Sequence, residues 1–276
     1  MNRTVVITGG ASGIGAALGR ALVRRGDTVI VADIDSEGAD LQAKLLGELG
    51  PGRAWSAAVD VRDAAAVQSL VDDVVAREGR LDVMVNNAGI GVGGEMHELS
   101  LAHWDRAIDV NLRGVVHGVV AAYPVMVRQG QGHIVNTASL AGLVAPPLLA
   151  PYAMTKHAVV GLSLSLRPEA AVKGIKVTAI CPGFTDTPIL DKAGPDDLPK
   201  PALASRSREM ADKMKRYIYD VDMLAADIVR GMDRNKALVV APRSARVAWR
   251  GSRLSPSVVG AVGRVQMRYV RKLSAR

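Results

Sequence analysis

At 276 residues, 49% of them hydrophobic and 22% charged, the chain suits one globular domain, and with aromatics at 3% its core must be built from Val, Leu, Ile and Ala. A single cysteine, Cys181, excludes an intrachain disulfide and reads as a small hydrophobe at a strand end rather than a nucleophile. The net charge of +8 is one-sided: from Arg234 onward there are eleven Lys and Arg and no acid, so the remainder is net −3.

The first strand-like run, residues 3–8, begins almost at Met1 and leaves no room for a basic and apolar leader. No apolar run approaches the length of a membrane span. These readings lead to the expectation of a soluble cytoplasmic protein, and no metal cluster is expected. Short, β-branched runs at 5–7, 28–32, 54–59, 83–85, 132–136, 176–180 and 238–240 are apolar on both faces, as strands of a helix-covered parallel sheet are. Helical stretches lie between them at 14–25, 36–49, 64–77, 101–128, 152–173 and 225–233. The alternation predicts an α/β fold: a doubly wound, seven-stranded parallel sheet flanked by helices, in one domain over 1–242. Residues 184–220 break the rhythm and read as a lid or binding loop, with helical potential over 202–219. After Pro242 comes a basic extension, 243–276. Its Val258, Val262, Val265, Tyr269 and Leu273 share one helical face, with Arg264, Arg268, Arg271 and Lys272 mostly on the other.

Gly9, Gly13 and Gly15 form G-x-x-x-G-x-G between the first strand and the first helix. Any tight strand-to-helix turn wants glycine. Here the glycines also let a pyrophosphate approach the backbone, and the helix opening at Ile14 offers free N–H groups and a positive dipole end. Asp33 ends the second strand, eighteen residues after Gly15. A carboxylate there accepts both ribose hydroxyls of an adenosine and repels a 2′-phosphate, and Ser12 and Ile34 beside it are neutral, so NAD is the expected cofactor. Asp35 or Ser36 serves better as the cap of the next helix. Tyr152 and Lys156 lie one turn apart on one helix face, preceded by Ser139. Alone, this pair also reads as an amphipathic helix with a surface lysine. Functionally, an ammonium beside a phenol favours the phenolate and lowers its pKa from near 10, which makes Tyr152 a general acid or base.

In order along residues 1–242, these motifs resemble the short-chain dehydrogenase/reductase family. The run from Thr8 to Gly15, with Gly9, Ser12, Gly13 and Ile14, is similar to its cofactor loop. Asp60 and Val61 resemble its adenine pocket, and Asn86-Asn87-Ala88-Gly89 the turn that lines the cofactor. Asn111 matches the helix asparagine that holds a water in the proton relay, and Ser139, Tyr152 and Lys156 match the rest of the catalytic tetrad. Pro182 and Gly183, with Thr185 and Thr187, resemble the segment that holds the nicotinamide carboxamide. The resemblance implies hydride transfer between NAD(H) and an alcohol or ketone. In it Ser139 binds the substrate oxygen, Tyr152 moves the proton, Lys156 lowers the tyrosine pKa and holds the nicotinamide ribose, and Asn111 links Lys156 to solvent. It also implies a homodimer or homotetramer.

Pro168 departs from the pattern, because a proline there removes a helix hydrogen bond and tends to kink the helix on which subunits pack. The substrate pocket is expected between residues 91–94, 140–149 and the loop after Gly183. Ser139, Leu140, Val144, Leu149 and Tyr152 are its candidate substrate contacts, and 139–153 holds no cation to grip an anion. That favours an apolar alcohol or ketone. The basic extension reads as a helix packed on the body or as a peripheral membrane contact on anionic lipid. Nucleic acid is not expected. Two rival functions remain from the residues alone: a non-catalytic NAD-binding sensor or scaffold, and a membrane-surface protein acting through its tail.

Overall fold

The computed structural model describes residues 2–190, 194–201 and 218–253, and in the C-terminal segment 260, 261, 263–265, 267 and 268. The helical potential over 202–217, and Val258, Val262, Tyr269, Arg271, Lys272 and Leu273 of the tail pattern, lie outside the described residues.

Seven parallel strands form one sheet in the order β3-β2-β1-β4-β5-β6-β7. They are β1 (Thr4–Thr8), β2 (Thr28–Asp33), β3 (Arg53–Ala58), β4 (Val83–Asn86), β5 (Gly132–Thr137), β6 (Ile175–Pro182) and β7 (Leu238–Ala241). All seven fall where the apolar runs predict them. Alternation along β1 and β2 splits the core. Val6 and Ile30 join the cluster under α3 (Ala64–Glu78), α5 (Gly114–Gln129) and α6 (Ala150–Ala171). Val5, Ile7, Val29 and Val31 join the one under α1 (Gly13–Val23), α2 (Ser36–Gly47) and α7 (Val221–Asp233). Each helix turns one apolar stripe to the sheet. In α3 the buried residues are Val67, Leu70, Val71 and Val74, each worth about 1.5–3 kcal/mol when removed from water. Asp63 caps this helix by accepting from the N–H groups of Ala65 and Ala66, and Gly79 ends it at φ 75°. Asp35 caps α2 by accepting from Gly38 N–H, so it, not Asp33, is the helix cap.

The predicted helix over 101–128 is interrupted. It runs as α4 (Leu101–Ile108), a π turn (Asp109–Arg113) and then α5. The π turn swings Asn111 into full burial, and periodicity alone does not reveal one extra residue in a turn. This Leu101–Gln129 run is also long and apolar enough, by length and composition, to cross a membrane. That corrects the expectation that no such run exists. Half of its most apolar window is buried inside the protein, as in the core helix of a packed sheet.

Pro168 does not break α6, which continues to Ala171. The proline sits in the last turn, and the carbonyl it leaves unpaired belongs to solvent-exposed Leu164. Arg167 then fastens this end, donating to the carbonyls of Val177 and Asn235. Beyond β7, α8 (Arg243–Ser252) packs back on the sheet: Ala245 is in the core and Trp249 lies against it.

β5 carries a buried titratable group, His133. Thr178 donates its hydroxyl to the Lys236 carbonyl, so its oxygen accepts from His133 Nε2–H at 2.8 Å. Burial, reinforced by Lys176, Arg3 and Arg167, pushes the imidazole down to about 3. The unfolded chain binds this proton below about pH 6.5 and the folded chain only near pH 3. Acid therefore favours unfolding. Stability should fall by up to about 1.4 kcal/mol per pH unit between these limits, and a His133→Gln variant should flatten the slope when urea midpoints are measured against pH.

Candidate active site

The site lies at the carboxyl ends of the strands, where β1 and β4 diverge and the strand order reverses. Two side chains tie the strand ends together. Thr8 Oγ1 accepts from the N–H groups of Asn87 (2.9 Å) and Ala88 (3.1 Å), and Asn87 Nδ2 donates to the carbonyls of Thr8 and Gly9. The approach is close enough to require glycine. Gly9 sits at φ +64°, and a Cβ there would meet Ala88 Cα at 2.8 Å. Gly15 is similarly confined, since a Cβ would collide with the Gly9 carbonyl and lie 2.8 Å from Asn87 Nδ2.

The helix following these glycines begins at Gly13 with Ser12 as its flanking residue, and the Ser12 side chain makes no capping bond. The first-turn N–H groups around Ile14 are thus left for an anion. Thr187 and Pro188 roof the loop: a Cβ on Gly13 would lie 3.3 Å from Thr187 Cγ2 and 3.6 Å from Pro188 Cδ. Pro182 ends β6, and Gly183 N–H is held by the Ala241 carbonyl. Thr185 and Thr187 are both buried, with Thr187 Oγ1 donating to the Thr185 carbonyl. Asp33 at the end of β2 accepts from Ala11 N–H (3.0 Å) and Asp35 N–H (3.1 Å). No cation among the described residues is bonded to it, and Ile34 beside it is exposed. A glycine cradle, open N–H groups at a helix start and a carboxylate at the adjacent strand end fit a dinucleotide.

Asp60 and Val61 follow β3. Val61 is buried against Gly114, and its carbonyl pairs with His117. The Asp60 carboxylate is gripped by the Arg62 guanidinium at 2.5–3.0 Å. That contact holds its pKa below the usual carboxylate range. Sequence reading missed Arg62, although a base two residues after an acid in a turn is the available signal.

The tetrad residues converge. Ser139 leaves β5 in an extended conformation and its Oγ accepts from Ala141 N–H at 3.1 Å. Its hydroxyl also acts on the Tyr152 phenol, favouring the ionised form. Lys156 is buried, donates from Nζ to the Thr137 carbonyl at 2.8 Å and lies 5.6 Å from the centroid of the Tyr152 ring. Asn111 locks onto Ile90, accepting its N–H at 2.8 Å and donating to its carbonyl at 3.0 Å. Gly89 stands between the last two: a Cβ on it would meet Asn111 Oδ1 at 3.1 Å and Lys156 Nζ at 3.4 Å. Thr155, Thr137 and Ile90 complete the arrangement unforeseen. Thr155 Oγ1 donates to the Tyr152 carbonyl and approaches Asn111 Nδ2 at 3.5 Å.

One electrostatic expectation is corrected. Burial pushes the Tyr152 phenol up from its ordinary value, and the Ser139 hydroxyl only partly opposes it. A lowering by Lys156 was expected, but desolvation is the larger effect at this phenol. The same burial brings Lys156 down to about 8. Cys181 lies behind them in the core with its thiol pushed up to about 12, which fits a small hydrophobe.

The expected substrate walls meet. Leu140, Val144 and Leu149 are half-buried. A Cβ on Gly93 would lie 2.7 Å from Leu149 Cδ2, one on Gly91 3.5 Å from Ile189 Cγ1, and one on Gly94 2.6 Å from Pro201 Cβ. The long excursion after Gly183 is closed at its base, where Tyr219 N–H donates to Phe184 O at 2.8 Å and Asp186 N–H to Tyr219 O at 3.1 Å. Its 194–201 stretch is clasped to α4 by Arg106–Asp197 (2.6 Å) and by His103 Nε2 to Pro199 O (2.9 Å).

Comparison with known proteins agrees with this geometry. Residues 3–198 match the family model described as short chain dehydrogenase. Oxidoreductase UcpA of Salmonella typhimurium is 38% identical over 224 residues, covering 77% of this chain and 84% of that protein. Cis-4-hydroxycyclohexanecarboxylate dehydrogenase of Sinomonas cyclohexanicum is 40% identical over 189 residues, covering 68% and 75%. A short chain dehydrogenase/reductase from Burkholderia phymatum, solved in complex with NAD, superposes with a TM-score of 0.81 at 30% identity over 90% of this chain and 92% of its own. A family model covering more than half of the chain, together with relatives of this similarity, means that the chain belongs to the short-chain dehydrogenase/reductase family of oxidoreductases acting on alcohols and ketones.

Proposed function

We propose that the protein is an NAD(H)-dependent oxidoreductase interconverting an apolar secondary alcohol and its ketone, with Tyr152 as the general acid and base. The observation that carries this reading is a buried Lys156 5.6 Å from the Tyr152 ring centroid, with Lys156 and Asn111 both facing Gly89. When bound, the nicotinamide accepts or supplies the hydride. In oxidation the alcohol oxygen is held by the Ser139 hydroxyl and gives its proton to Tyr152 Oη as its carbon loses the hydride. In reduction the proton returns from Tyr152 to the developing alkoxide. Lys156 stabilises the phenolate and holds the nicotinamide ribose, and Asn111 supports a water path from Lys156 to solvent.

The pyrophosphate is assigned to the cradle of Gly9, Ser12, Gly13, Ile14 and Gly15, and the adenosine to Asp33, Asp60 and Val61. Asn87, Ala88, Gly89, Pro182, Gly183, Thr185 and Thr187 line the rest of the cofactor path. Asp33 supports NAD over NADP. Two like charges about 4 Å apart near a protein surface repel by about 4 kcal/mol, and no cation among the described residues is bonded to Asp33 to offset a 2′-phosphate. The NAD in the Burkholderia phymatum structure is consistent with this choice. The apolar substrate reading rests on Leu140, Val144 and Leu149 around Ser139 and Tyr152, and the Sinomonas relative is named for a ring alcohol. A homodimer or homotetramer is supported by exposed Val120 and Val127 on α5 and Leu164 and Val172 near the end of α6.

Tyr152→Phe should lower kcat by about 10²–10⁴-fold while NADH still quenches tryptophan fluorescence. Activity surviving in this variant would remove Tyr152 from the chemistry. Because burial raises the phenol, oxidation needs a phenolate that is scarce at neutral pH. Its kcat/KM should therefore climb with pH from about 7 to 9 while that of reduction falls, and a flat profile in both directions would contradict the assignment. Asp33→Asn keeps an acceptor for Ala11 but removes the charge. The ratio of NAD to NADP kcat/KM should drop by roughly tenfold or more, about 1.4 kcal/mol; a wild-type preference for NADP would overturn the NAD reading.

A further inference from the structure

The apolar wall over 139–153 has no cation of its own, yet two guanidinium groups reach its edge from the far end of the chain. Pro147 faces Gly260, Gly263, Arg264, Met267 and Arg268 across a cleft of about 430 Å³, a size that suits a small-molecule group. Pro147 belongs to the same apolar stretch as Leu149. Tyr152 is five positions further along, so its Cα lies within roughly 18 Å of the Pro147 Cα.

The two arginines are four residues apart in helical conformation and therefore share a face. Both are exposed, and neither forms an ion pair with any described residue. From Arg234 onward the chain contains no acid to neutralise them. Gly263 leaves open space where a side chain would stand, and Met267 adds a flexible apolar wall opposite the proline. The cleft thus joins an apolar lining to a double cationic rim. That pairing suits a molecule with an apolar body and one anionic end.

We propose that the cleft between Pro147 and the C-terminal segment binds the anionic end, a carboxylate or phosphate ester, of an otherwise apolar substrate, with Arg264 and Arg268 as specificity-determining residues. This rests on the oxidoreductase reading of the neighbouring site and sharpens its substrate class: the apolar wall takes the reacting carbon and the C-terminal segment takes the remote charge.

The test is direct binding of dodecanoate, dodecyl phosphate and 1-dodecanol to the full-length protein with NADH, by calorimetry, for wild type and for an Arg264→Gln, Arg268→Gln double variant. Both side chains are exposed, so the variant keeps the core intact. Wild type should bind at least one of the two anions tenfold or more tighter than the alcohol, and the variant should lose that advantage while its affinity for the alcohol stays within about twofold. The better of the two anions identifies the charged group. Equal affinity for anions and alcohol, or an anion preference surviving in the variant, would overturn the proposal. So would loss of binding to phosphatidylglycerol vesicles in the variant with soluble anion binding unchanged, which would assign the arginines to a lipid surface. Failure of the oxidoreductase reading shows separately, as no NADH formation from any secondary alcohol while anion binding persists.

Discussion

The site depends on how closely two strand ends approach each other. Where β1 and β4 separate, the chain at Gly9 runs against Ala88 so tightly that a single methyl group would collide. The Thr8 hydroxyl and the Asn87 amide convert this approach into a hydrogen-bonded tie that satisfies backbone groups left over when pairing stops. Everything downstream takes its position from that tie. The glycine loop is set by β1, Gly89 by β4, and the Lys156 ammonium reaches the Thr137 carbonyl from α6 because the next strand over is in register.

A second constraint is the cost of burial. An ammonium and a phenol share a desolvated corner, and each is pushed toward its neutral form. Structure opposes this with a few aimed dipoles: one carbonyl for the lysine and one hydroxyl for the tyrosine. The balance leaves both groups able to exchange protons, and a fully solvated or fully paired pair would not be poised in this way. Cys181, in the same core but with no role in this exchange, is simply inert.

Strands were legible because a parallel sheet covered on both faces demands unbroken apolar runs, and 5–7 or 238–240 allow little else. The Ser139, Tyr152 and Lys156 set was legible because reactive side-chain types stood at the spacing of the family pattern, and the glycine loop because glycine itself marks a close approach of backbones. What escaped falls into three physical kinds. Backbone partners such as Ile90 and the Thr137 carbonyl are anonymous in a sequence. Desolvation at Tyr152 needs a three-dimensional neighbourhood, so a charge four residues away was given too much weight. Contacts between distant segments, such as Pro147 with Arg264 or Arg106 with Asp197, have no local signature at all.

The π turn at 109–113 is also a change of phase. A helix advances about 100° per residue, so one additional residue rotates everything after it relative to everything before. Before the turn, His103 and Arg106 face the 194–201 stretch. After it, Gly118 presses so closely on Asn86 of β4 that any side chain there would strike it. One continuous rod could not serve both surfaces. The inserted residue lets a single helical segment address the 194–201 stretch with one face and the sheet with another, and Asn111 occupies the point where the two phases meet.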